Sequence, residues 1–164
     1  MKFWFNGEIF DSDDKVIAVD DRGFMLGDGL FETVLARNSL PLRLSAHLQR
    51  LRQGAELIDL QIGISNQELT AAFALVLDAN NADTGVLRLT ASRGTCERGL
   101  LPPPQNEPCL AITITPVPAS KGEANAIIAT SFRRDELSPL SRCKTLSYLG
   151  NIVARQEAES HGAN

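Results

Sequence analysis

The sequence predicts an α+β fold, with a largely antiparallel sheet and two packed helices. Three observations predict it. Short runs of alternating apolar and polar residues recur along the chain, bounded by Gly, Asn, Asp or Pro. Tight reversals at Asn6-Gly7 and Asn38-Ser39 join neighbouring runs head to tail. Two longer segments, after Ser45 and Ser65, repeat their apolar residues at helical spacing instead.

In chain order, residues 2–10 predict a hairpin, KFWF and EIF about the Asn6-Gly7 turn, followed by the solvated turn DSDDK. VIAV at 16–19 predicts a short apolar strand. DRGFMLGDG (21–29) reads as a glycine-rich loop, and LFETVLAR (30–37) as a strand leaving it. A helix opens at Ser45, with Leu48, Leu51, Ala55 and Ile58 on one face. A second opens at Ser65, where Ser65 and Glu68 form a capping-box pattern ahead of Leu69, Phe73, Val76 and Leu77. Strands are expected from Gly85, with Val86, Leu87, Leu89 and Ala91 apolar, then at 108–116 and 125–131. A loop covers 93–104, with SRGTCERGLLPPP across it. FRRDELSPLSRC is a long polar connection, and a final helix over 146–160 carries Leu146, Leu149, Ile152 or Val153, and Glu157 on successive turns. Residues 1–120 are expected to form one α+β domain. Residues 121–164 are expected to be a connection and the start of a second, largely missing one; the HGAN ending itself reads either as a frayed tail or as a helix end followed by a linker.

Composition narrows the function classes. The chain is 43% hydrophobic and 22% charged, which is ordinary for a globular domain. Its net charge of -4 argues against general nucleic-acid binding, which calls for a basic patch or stripe. Cys96, Cys109 and Cys143 are too few and too irregular for a disulfide framework or a paired metal motif. The N-terminal stretch is broken by Asn6, Gly7 and Glu8, so it lacks the apolar core of a signal peptide. No run approaches the roughly 18 apolar residues of a membrane span. The expectation is a cytoplasmic protein with no membrane or nucleic-acid partner and no metal.

Lys144 stands apart from Lys2, Lys15 and Lys121, because it lies between a polar connection and an apolar helix with Arg142 two residues before it. A neighbouring cation and partial burial both favour a neutral lysine amine, and that form attacks an aldehyde. The residues alone leave a structural role open. Gly27-Asp28-Gly29 is no dinucleotide fingerprint, since position 32 is Glu32 and a strand follows. The glycines allow either a tight turn or the approach of a flat ligand. Arg50, on the first helix near Arg43 and Arg52, suits either a solvated face or bidentate phosphate binding. His47 is expected at the surface or behind that site. Arg93 and Arg98, flanking a strand-end turn, suit either solvent or a substrate carboxylate.

Taken in order, DRGFMLGDGLFET, HLQRL, SRGTCERG and KTLSYLGNIVARQEA resemble the class IV aminotransferases over essentially the whole chain. That family includes branched-chain and D-amino-acid aminotransferases and 4-amino-4-deoxychorismate lyase. The resemblance implies pyridoxal 5'-phosphate as cofactor and Lys144 as the lysine that condenses with it and then moves protons on the substrate carbon. It implies Arg50 as the phosphate-binding arginine and Tyr148 near a cofactor-contacting position. Phe31 would line the substrate side, and Arg93 and Arg98 would approach a substrate carboxylate, Arg98 being the closer match. It further implies a homodimer acting on an amino or keto acid or on aminodeoxychorismate, and a second domain supplying the partner of the pyridine nitrogen. Leu100 stands where the D-amino-acid enzymes carry a histidine, and Phe31 where they favour tyrosine. The GLFET and ERG strings look more like the lyase. The competing expectation is a fragment that binds a partner and does no chemistry.

Overall fold

The computed structural model describes residues 1–102, 104–120 and 122–163. Pro103 in the expected 93–104 loop, Lys121 in its polar loop and Asn164 at the end of the expected linker lie outside the described residues.

Six strands form one antiparallel sheet, ordered Glu8–Asp11, Lys2–Phe5, Cys109–Thr115, Gly85–Ser92, Gly29–Arg37, Leu40–Pro41 across it. β1 (Lys2–Phe5) and β2 (Glu8–Asp11) make the predicted hairpin, with Asn6 and Gly7 both at positive φ, as a two-residue turn of this hand requires. The Asn6 side chain accepts from the Leu110 amide at 2.8 Å, which ties the turn to β6 (Cys109–Thr115). β3 (Gly29–Arg37) pairs with the whole of β5 (Gly85–Ser92), from Gly29 opposite Ser92 to Ala36 opposite Gly85. β4 (Leu40–Pro41) folds back on the end of β3 through Asn38 and Ser39.

Alternation along the strands sorts the side chains between two faces. Trp4, Leu30, Val34, Leu87, Leu89, Ile112 and Ile114 point to one face and are buried. Helices α2 (Leu44–Leu57) and α3 (Asn66–Ala79) cover that face with Leu48, Leu51, Ala55, Leu69, Phe73 and Val76. The expected capping box is formed: the Glu68 amide donates to Ser65 Oγ, and the Ser65 amide donates back to the Glu68 carboxylate. Gly54 lets α2 approach β3, since a Cβ there would lie 3.1 Å from the Leu30 side chain.

Four local expectations need correction. The 21–29 loop contains a one-turn helix, α1 (Arg22–Leu26), because Asp21 caps its first amides and Gly27 closes it at φ 68°. Residues 16–19 form no strand: no sheet edge receives their backbone, and Val16 and Ile17 lie instead in a shallow apolar groove beside Phe3 and Ala111. Residues 125–131 also make no ladder, and Ile128 is 92% exposed. The last helix, α4 (Leu149–Ser160), starts three residues later than expected, because Leu146 is engaged by the sheet. Its apolar residues Leu149, Ile152 and Val153 are solvent-facing, with Leu149 71% exposed.

The polar connection holds one short 3-10 turn (Pro139–Arg142). It then delivers the chain to the free edge of β3. Thr145 bridges Leu30, the Phe31 amide donates to the Lys144 carbonyl at 2.9 Å, and the Leu146 amide donates to the Gly29 carbonyl at 2.9 Å. Two backbone hydrogen bonds therefore fix where Lys144 sits. Its side chain shares the open face of the sheet with Phe31, the residue opposite.

Candidate active site

Glycine packing makes the docking of this edge possible. A Cβ on Gly29 would overlap the Ala91 carbonyl oxygen and crowd the Leu146 side chain, so only glycine allows β5, β3 and the Lys144 segment to lie this close. Gly27 supplies the left-handed turn before it and faces the Ser147 hydroxyl. Here the two glycines serve a turn and backbone packing.

Lys144 Nζ lies 4.0 Å from the centroid of the Phe31 ring and donates to the Tyr148 hydroxyl at 3.1 Å. The Phe31 and Tyr148 rings meet edge to face at 5.0 Å, which fixes both. The Arg88 guanidinium lies over Phe31 at 3.7 Å. Arg88 is a cation that the sequence reading passed over as an ordinary strand residue. Alternation would have found it, because it falls on the same sheet face as Phe31, one strand across.

Lys144 opens onto a cleft of about 240 Å³ that Arg50, Arg134, Arg142 and Tyr148 also line. Among the described residues no carboxylate lines it. Arg134 donates to the Ser141 carbonyl and so holds the connection in place. Three guanidiniums around one cleft make a site for an anion.

Arg50 reaches the cleft from the second turn of α2. Its Nε donates to Glu32 Oε1 at 2.6 Å and its Nη2 to Glu32 Oε2 at 2.5 Å. His47 Nδ1 lies 2.8 Å from the same Oε2. Glu32 is 1% exposed and faces the helices from β3, where its neighbours on that face are Leu30 and Val34. Burial pushes its carboxyl up, but the hydrogen bonds from Arg50 and His47 outweigh that and hold it below the usual glutamate range. Glu32 was missed by the sequence reading. Its signal is a carboxylate at a core-facing position of an apolar alternation, which demands cationic partners.

Arg93 and Arg98 are placed apart from this cleft. Arg93 is 3% exposed, and its guanidinium is engaged by Asp28 (2.8 and 3.1 Å) and by the carbonyls of Ile58 and Asp59. Asp28 also accepts from Arg22 at 2.7 Å, and Arg22 donates to the carbonyls of Gly99 and Leu100. Burial pushes the Asp28 carboxyl up, but Arg93 and Arg22 together hold it low. These two buried guanidiniums and the half-buried Asp28 pin the turn that carries Arg98. Arg98 itself is exposed and lines a second cleft of about 640 Å³ with Arg22, Met25, Leu26 and Leu100. The two clefts share no lining residue. Among the described residues, no group of His, Cys, Asp or Glu side chains is arranged to hold a metal ion, and no helix is long and apolar enough to cross a membrane.

Known proteins resemble this chain in sequence and in fold. The Amino-transferase class IV family matches residues 29–164. A D-alanine aminotransferase of Staphylococcus aureus is 29% identical over 99% of this chain and 58% of its own length. The structure of the Escherichia coli branched-chain amino acid aminotransferase superposes with a TM-score of 0.90 at 25% identity, over 99% of this chain and 57% of that one. A 4-amino-4-deoxychorismate lyase from Pseudomonas aeruginosa superposes with a TM-score of 0.80 at 29% identity, over 94% and 56%. The chain thus spans a little over half the length of these relatives. The fold is shared with these relatives over nearly all of this chain, the family model covers residues 29–164, and this chain belongs to the class IV aminotransferase family.

Proposed function

We propose that the protein is a pyridoxal 5'-phosphate enzyme whose reacting amine is Lys144, and that its reaction is the release of pyruvate from 4-amino-4-deoxychorismate to give 4-aminobenzoate. One observation carries the first part: Lys144 is pinned by two backbone hydrogen bonds to β3 and opens onto the cleft that Arg50 lines. The donor set fits the cofactor. Arg50 offers a planar fork to a phosphate, Tyr148 offers ring surface beside the amine with the buried Phe31 ring packed behind it, and no lining carboxylate opposes an anion. When bound, the group supplies an electron sink for carbanion chemistry. The chain supplies the rest. Arg50 holds the phosphate, Tyr148 orients Nζ, and Lys144 takes and returns a proton at the substrate carbon. Phe31 lines the substrate side. Arg98, which lines the second cleft and not the Lys144 cleft, takes the substrate-carboxylate role only on the family likeness, and Arg93 fixes its turn through Asp28.

Phe31 and Leu100, together with the GLFET and ERG strings, favour the lyase over a D-amino-acid transaminase. Transamination of a branched-chain or D-amino acid is the second reading, favoured by the D-alanine aminotransferase likeness across the chain. Residues 121–164 are read as the start of a second unit in a cytoplasmic homodimer. The exposed apolar residues of α4 and the free thiols support that reading. The test is product analysis with the intact protein. Pyruvate and 4-aminobenzoate formed without an amino acceptor support the lyase. Turnover that requires pyruvate or 2-oxoglutarate as acceptor supports transamination and removes the lyase reading.

A further inference from the structure

We infer that Glu32 is a positioning residue for the phosphate site, locking the Arg50 guanidinium so that its outer edge faces the cleft. The inference rests on the reading of Arg50 given above. Left alone, an arginine on a helix surface samples many rotamers, and the half-exposed Arg50 side chain has room to do so. Glu32 removes that freedom. Its two oxygens engage Nε and Nη2 in the fork-to-fork pairing that fixes a guanidinium plane. Nη1 takes no hydrogen-bond partner among the described residues, and Arg50 lines the Lys144 cleft.

The carboxylate is itself immobile. It projects from β3, where Glu32 pairs with Leu89 in the ladder, and His47 holds its Oε2 from one turn earlier on α2. Two opposed effects follow. A negative charge behind the guanidinium weakens its pull on an anion, while loss of rotamer freedom strengthens the grip. Because Glu32 is buried behind Arg50 and is not among the residues that line the cleft, orientation dominates. A cation needed only for its charge would sit better without a carboxylate pairing it. A cation needed for its geometry requires one.

The experiment compares the binding of pyridoxal 5'-phosphate and of pyridoxal, which lacks the phosphate, to the intact protein and its E32Q, R50A and E32Q/R50A variants. Thermal melts run in parallel. E32Q is expected to weaken pyridoxal 5'-phosphate about 10-fold, equivalent to about 1.4 kcal/mol, and to leave pyridoxal unchanged. R50A is expected to show the same selectivity for the phosphate form, and the double variant is expected to be no weaker than R50A. Tighter or unchanged pyridoxal 5'-phosphate binding in E32Q overturns the inference, since charge would then outweigh geometry. Equal weakening of both compounds, with a lowered melt, also overturns it and leaves Glu32 a purely structural residue. If R50A loses no preference for the phosphate form, the failure belongs to the assignment of Arg50, and the inference falls with it.

Discussion

Replacing Asp28 by asparagine removes the one carboxylate shared by two buried guanidiniums. Arg22 and Arg93 both have buried side chains, and both donate to Asp28 at 2.7–2.8 Å. Asparagine keeps the volume and one acceptor oxygen but leaves two cations uncompensated. Breaking a buried ion pair by removing one partner costs about 3–5 kcal/mol. Each arginine keeps two carbonyl acceptors, Gly99 and Leu100 for Arg22 and Ile58 and Asp59 for Arg93, so the lower end applies. A loss of about 3 kcal/mol lowers the melting temperature of a chain this size by about 6–12 °C. Urea unfolding of D28N gives the loss directly, and limited trypsin digestion reports the local consequence. Arg98 is exposed on the turn that Arg22 holds, so cleavage after it accelerates in the variant. A loss below about 1 kcal/mol, the range of a surface pair, with unchanged cleavage at Arg98, would refute the reasoning.

Acid has a related effect. Glu32 and Asp28 are both held below their ordinary values, so the stability they contribute is present above the unfolded carboxylate range, about pH 4, and is lost as pH falls through their lower folded values. Melts between pH 3 and pH 6 should fall more steeply for the parent protein than for D28N or E32Q, and identical slopes would contradict this. Gly29→Ala forces a methyl group against the Ala91 carbonyl, an overpacking cost of about 1–3 kcal/mol. Because the Leu146 amide bonds the Gly29 carbonyl, the same change should weaken cofactor binding, and equilibrium unfolding beside a binding titration would show both losses or neither.

Much of the scaffold could be read before any coordinates because its signals are local. The Asn6-Gly7 turn, the Ser65–Glu68 box and the alternation through β3 and β5 each lie within a few residues. The readings that failed depend on distant chain. The 16–19 and 125–131 runs have strand-like composition, but a strand needs an edge to pair with, and sequence does not reveal which edges are free. The start of α4 was displaced because Leu146 is claimed by Gly29, more than a hundred residues away in sequence. The site shows the same division. Lys144 and Arg50 stand out by residue type and motif. Alternation marks the faces that Arg88 and Glu32 occupy, but their partners become visible only when β3 is laid beside β5 and under α2. Arg93 carries the residue type of a substrate clamp, yet its burial beside Asp28 gives it a supporting place that no local pattern encodes.

The most direct measurement is a covalent one. The intact protein is loaded with pyridoxal 5'-phosphate and reduced with borohydride, and the modified peptide is then identified by mass spectrometry. The mass increment should appear on the peptide containing Lys144, and R50A should need more cofactor to reach the same labelling. A label on Lys2, Lys15 or Lys121, or no label at saturating cofactor, would contradict the assignment of the β3-edge lysine as the reacting amine.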